Sequence, residues 1–195
     1  MTAKNDNKGK ERQNRRSLLN HVGRWILTNR DLLKAYGIFI GFTGVCFAVV
    51  LADWSSGRLL DPVNQLTAAA SGGLVNLFGG KVEVVSTQLS SPAGGVSIAE
   101  GCNSVYVTIL FLAGVFAFPT TWKKKWLGAL LGTVALFVIN LVRVVTLFYL
   151  SGSNAWLFQE AHLHIWQFAI ILIGGLLWLL WYDKIVKEPK NAKGL

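Results

Sequence analysis

Between residues 35 and 182 the chain passes through four long apolar stretches, and apart from Asp53 at the end of the first only Arg143 carries a fixed charge in them. About 20 apolar residues in helical form cross a ~30 Å hydrocarbon core. Lipid offers the backbone no hydrogen-bond partner, so such runs must be helices that satisfy themselves. The runs place spans at about 35–53, 103–121, 126–150 and 161–182. A composition 52% hydrophobic and 15% charged, with mean hydropathy +0.44, fits this reading. The expectation is an all-α integral membrane protein of about four transmembrane helices, forming one domain over 35–182.

The net charge of +9 would suit a nucleic-acid binder, but its distribution does not. Nine Lys and Arg fall in the arm 1–34, three at Lys123–Lys125 and four in the tail 183–195, so 16 of 19 lie on one side of the predicted membrane. By the positive-inside rule both termini are expected in the cytoplasm. The loop 54–102 and the turn 151–160 then face outward, and Trp54, Trp122, Trp126, Trp156 and Trp181 fall near the interfaces as an aromatic belt. The first 34 residues hold no apolar core, so no cleavable signal peptide is expected. The arm reads as a basic tail on anionic lipid, with Leu18, Leu19, Val22, Trp25 and Ile26 at helical spacing. Two cysteines make no disulfide framework. Cys46, inside the first span, reads as a small apolar filler.

The outer loop carries its own elements. Asp61-Pro62 reads as an N-cap and first helical residue. Val63, Leu66, Ala70, Leu74 and Leu77 follow at steps of three and four, an amphipathic helix along the membrane surface that ends at Gly79-Gly80. Lys81 to Leu89 reads as a strand, Ser91 to Gly95 as a turn and Val96 to Ala99 as a return strand. A small β-hairpin therefore leads to Glu100-Gly101-Cys102-Asn103-Ser104 at the head of the second span.

Topology brings three unusual residues to one level. Cys102 opens the second span on the outer side. Arg143 stands seven residues before the outer end of the third, roughly 10 Å deep. His162 and His164 open the fourth. A guanidinium within a span costs at least ~2.5 kcal/mol and usually faces protein or a wet cavity. Asn140, three residues earlier, shares its helix face. A cation and a helix N-terminus both favour the thiolate. The set suits acyl transfer: Cys102 as nucleophile, Arg143 at the oxyanion, and His162 (alternatively His164) as proton shuttle. Asn103, Ser104 and Asn140 are the expected supporting residues. No metal-ligand spacing or phosphate loop occurs, and no cofactor is expected.

On these residues the chain resembles the exosortase/archaeosortase family of transmembrane cysteine transpeptidases. The carriers are Glu100-Gly101-Cys102-Asn103-Ser104, then Asn140-Leu141-Val142-Arg143, then His162 ahead of Trp166 and Phe168. The order Cys, Arg, His on successive spans is the family's pattern, and the compact length is most similar to the exosortase H group. Larger members have about eight spans, and the glycine that usually follows the histidine is absent here. The resemblance implies substrates that are exported proteins with a C-terminal sorting tail: a short motif, one transmembrane helix and a basic cluster. It implies cleavage on the outer face, with release or transfer to an acceptor. Two other readings accompany it. One is a non-enzymatic scaffold of an envelope export machine, in which Arg143 is a partner's counter-ion. The other is thiol redox work by Cys46 and Cys102.

Overall fold

The computed structural model describes residues 29–53, 58–92, 94–98 and 104–187. Helix α1 (Arg30–Asp53) is followed by α2 (Leu60–Leu77) and by strands β1 (Glu83–Val85), β2 (Gln88–Ser91) and β3 (Gly94–Ser97). Then come α3 (Val105–Ala117), α4 (Trp122–Ser151), α5 (Ala155–Glu160) and α6 (Trp166–Trp181). A π-helical turn, Ala161–Ile165, joins α5 to α6, and a second, Tyr182–Val186, extends α6.

Three helices are long and apolar enough to cross a membrane: Arg30–Asp53, Trp122–Ser151 and Ala155–Val186. The expected second span is different. Its described helix, α3, has 13 residues, or about 20 Å, short of a ~30 Å core. Pro119 sets its end: Phe118 takes the extended conformation required before proline, with φ −70° and ψ 134°. The turn expected at 151–160 shrinks to Gly152–Asn154, because the Asn154 side chain accepts from the Leu157 N–H at 3.0 Å and starts α5.

The long helices present their apolar side chains outward, as lipid-facing helices do. Ile38, Ile40, Leu130, Val134, Val138 and Leu172 are all exposed. Inward, α4 buries one stripe: Gly128, Ala129, Gly132, Leu136, Asn140, Arg143, Val144, Leu147 and Phe148. Its glycines are contact points. A side chain at Gly128 would strike Trp181, and one at Gly132 would strike Phe111. Small residues let helices approach where lipid supplies no hydrophobic drive.

Lys124 and Lys125 tie one end of the bundle. The Lys125 ammonium donates to the Phe116 carbonyl at 2.6 Å, and Lys124 donates to Val186 at 3.3 Å. Trp181, expected in the interfacial belt, is instead buried, and its indole N–H donates to the Lys124 carbonyl at 3.0 Å.

The opposite end carries the sheet. Three antiparallel strands in the order β1-β2-β3 replace the expected hairpin. The stretch 81–89 folds back at Ser86-Thr87, where Ser86 adopts φ 57° without any Gly or Asn to mark the turn. Leu89, Val96 and Ile98 point into a core with Val75 of α2, Val144 and Leu147 of α4, and Ala161. Fully burying one such aliphatic side chain is worth about 1.5–3 kcal/mol.

Helix α2 departs from expectation at its start. It begins at Leu60, and its cap is not Asp61. The buried Asp53 carboxylate at the end of α1 accepts from the Leu59 and Leu60 N–H groups at 2.9 and 3.2 Å. It ends as expected at Gly79-Gly80. Gly79 has φ +84°, and the Gly80 N–H reaches the Val75 carbonyl, closing a Schellman motif. Its two faces divide as a helix lying along a membrane surface requires. Leu66 and Leu77 are 60% and 78% exposed, while Asn64, Thr67, Ala68, Ser71, Gly72 and Val75 are buried. The leucine face looks away from the protein, and the small and polar face packs on α4 and the sheet.

Candidate functional site

Arg143 and Asn140 occupy the buried stripe of α4 toward the sheet end, 2% and 0% exposed. They are three residues apart, so their side chains share one helix face. Neither the oxygen nor the nitrogen of the Asn140 carboxamide has a hydrogen-bond partner.

The histidines part company. His162 is half-buried on the π-helical turn, which the Trp166 N–H closes onto the Ala161 carbonyl. Its ring stacks on Phe158 at 5.8 Å and 12° between planes, and Phe158 packs against the core beneath the sheet. His162 lies within electrostatic reach of the Arg143 guanidinium. The side chain of His164 is 71% exposed and pairs instead with Glu160, Nδ1 to Oε2 at 3.0 Å. The π-turn widens the helix beside His162, a deviation frequent at functional sites.

Cys102 and Asn103 lie outside the described residues. Ser104 is the first residue described in that segment. It is buried, with φ 54°, a left-handed conformation unusual for serine. Its carbonyl accepts from both the N–H and the hydroxyl of Thr108, each at 3.0 Å. Packing aligns it with α4. The α3 position Phe111 meets Gly132, and Val107 shares with Leu136 the contact at Gly174. One more antiparallel turn carries the register from Val107 and Leu136 to Ser104 and Asn140.

The buried polar stripe of α2, Asn64, Thr67 and Ser71, was not foreseen as part of this neighbourhood. Ala68 in the same stripe shares a core cluster with Val144 and Leu147, which flank Arg143 on α4. Thr67 donates back to Val63, and the fully buried Ser71 hydroxyl has no hydrogen-bond partner. The signal was present: Asn64, Thr67 and Ser71 recur at steps of three and four. In so apolar a chain the small polar stripe is the protein-facing one.

Cys46 packs with Val50, Leu60 and Ile109, as a small apolar filler would. An apolar recess of about 570 Å³ between α1, α3 and α6, lined by Phe39, Gly114, Phe118 and Trp178 among others, stands toward the lysine end, away from Arg143. Among the described residues, no group of three His, Cys, Asp or Glu side chains is placed to hold a metal ion.

No curated protein and no solved structure matches the chain. A family model does match, that of the transmembrane exosortase (Exosortase_EpsH), over residues 22–182. That match runs from ahead of α1 to the end of α6 and takes in Cys102, Asn140, Arg143 and His162. With most of its length covered, the chain belongs to the transmembrane exosortase family.

Proposed function

We propose that the protein is a membrane-embedded cysteine protease or transpeptidase that removes C-terminal sorting tails from exported proteins. It works at the outer face of the bacterial cytoplasmic membrane, with both termini in the cytoplasm. The observation that carries the reading is Arg143. A guanidinium 2% exposed within a span, in electrostatic reach of a half-buried histidine, is an arrangement membrane proteins keep for function.

The Cys102 thiolate attacks the scissile carbonyl, forming the Sγ–C bond and a tetrahedral oxyanion that Arg143 stabilises. As the C–N bond breaks, His162 gives its proton to the departing amine of the tail. A thioester now joins the exported protein to Cys102. Water or an acceptor amine, losing a proton to His162, attacks this thioester and regenerates the thiolate. The partners are exported proteins carrying a motif, one transmembrane helix and a basic cluster. The positive-inside count supports the orientation, since 16 of 19 Lys and Arg fall on the side opposite Cys102.

The test compares envelope proteins by intact mass in the native host carrying wild type or Cys102→Ala at equal membrane levels. The expected result is precursors that keep their C-terminal helix and basic tail in the variant alone. Identical profiles would overturn the proposal and leave a scaffold of the export machinery.

A further inference from the structure

Asn140 is the least explained polar group in the described protein. It is 0% exposed, and both ends of its carboxamide lack a hydrogen-bond partner. Buried donors and acceptors are almost always paired, and leaving one unmet is costly. An amide with both its donor and its acceptor unmet is shaped for one kind of ligand above others: another amide. The chain already contains that pairing. The Asn76 carboxamide donates to the Val82 carbonyl at 3.1 Å and accepts the Val82 N–H at 2.9 Å, holding an extended backbone by two points.

Asn140 stands one helical turn from Arg143 and, by the α3–α4 register, level with Ser104. A peptide bound for Cys102 must have its backbone held near this level. Its amides must also find partners, because lipid and apolar side chains supply none. On the neighbouring helix, the buried Ser71 hydroxyl likewise lacks a partner. The seam there is built from Thr67, Ala68 and Ser71.

From this we infer that Asn140 is the backbone-recognition group of the site: its carboxamide takes the N–H and C=O of one residue of the processed peptide, in the seam between α2 and α4. This rests on the proposed function. Asn140 binds and orients, while bond breaking belongs to Cys102, Arg143 and His162.

The test uses the full-length protein in nanodiscs and, as probe, the synthetic tail of a precursor that accumulates in Cys102→Ala cells. Binding to Cys102→Ala is compared with binding to Cys102→Ala/Asn140→Leu. Loss of two neutral hydrogen bonds weakens binding about 10- to 100-fold. In the active background, Asn140→Leu raises KM with a smaller change in kcat. Without peptide, Asn140→Leu melts at or near the wild-type temperature, because it removes two unmet polar groups and keeps the branched side-chain shape, which offsets the larger methyl groups. An ester placed for one backbone amide of the probe weakens binding to Cys102→Ala but not to the double variant. Equal affinities overturn the inference. So does a weakened affinity that comes with an equivalent loss of resting stability, which would mark Asn140 as structural. If no precursor accumulates, the proposed function falls and this inference with it. If precursors accumulate and Asn140→Leu binds them normally, only this inference falls.

Discussion

Gly132→Ala tests whether contact between α3 and α4 sets the geometry of the site. A methyl group there would press on Cε1 and Cζ of Phe111 and stand 3.0 Å from Cδ1, against 3.4 Å for an ordinary contact. Phe111 is 5% exposed, and its ring borders the apolar recess between α1, α3 and α6. Whether the ring is driven off its rotamer toward that recess or the two helices part by ~1 Å, the overpacking typically costs about 1–3 kcal/mol. For a chain of this size, ~2 kcal/mol lowers Tm by roughly 4–8 °C. Catalysis feels it more strongly. The segment carrying Cys102 leads into α3, and Arg143 stands on α4, so a ~1 Å offset between them costs about 100-fold in rate. Thermal unfolding in nanodiscs and turnover of a precursor tail measure the two effects. Phe111→Leu removes the obstructing ring edge, so Gly132→Ala/Phe111→Leu regains at least half of the lost stability relative to the sum of the single changes. A wild-type Tm and rate for Gly132→Ala, or strict additivity of the pair, refutes the α3–α4 register argued above.

Further outcomes follow from other contacts. His162→Ala lowers processing by about 10²- to 10⁴-fold. His164→Ala leaves it near wild type, because its exposed pair with Glu160 is worth at most ~1 kcal/mol; the reverse ranking in a turnover assay would transfer the shuttle to His164. Asp53→Ala strips the carboxylate from the Leu59 and Leu60 N–H groups and lowers stability by about 1–3 kcal/mol, read by thermal unfolding. Trp181→Phe loses the bond to the Lys124 carbonyl, worth ~1 kcal/mol, and cleavage after Tyr182 by added protease should quicken. Spin labels at Leu66→Cys and Leu77→Cys should relax faster with lipid-soluble oxygen than with an aqueous nickel chelate; the opposite order would put the outer face of α2 in water.

The long helices were legible because lipid makes one demand of a backbone, and residues 35–51, 126–150 and 161–182 answer it with long runs that few polar residues interrupt. Their ends were less so. Helix α4 starts at Trp122 and carries Lys123–Lys125 inside its first turn, where the Lys124 and Lys125 ammonium groups find carbonyl partners on neighbouring helices. Helix α2 was recognised as an amphipathic helix, but the packing of its small polar face on α4 was not. Amphipathic periodicity fixes the stripes, yet which stripe turns inward depends on whether water or lipid lies outside, and that is a property of the surroundings. The split at Ser86-Thr87 had no turn residue to announce it. Arg143 and Asn140 could be picked from the sequence because their chemistry is foreign to the run that holds them. The unmet amide of Asn140 and the Phe158 ring behind His162 could not, since both are facts of three-dimensional packing.

The short helix α3 has a consequence for how the bundle is sealed. Its 13 residues span about 20 Å beside the 30 residues, or about 45 Å, of α4. Of the residues of α3 only Leu110 is exposed, because α1, α4 and α6 pack around it, so lipid scarcely meets this helix and protein must make up the missing depth. On the side where α3 begins, α2 and the strands stand against the C-terminal half of α4. Backbone that is not a spanning helix is tolerated at membrane depth only where protein or a water-filled cavity encloses it, and here the small outer sheet supplies that enclosure.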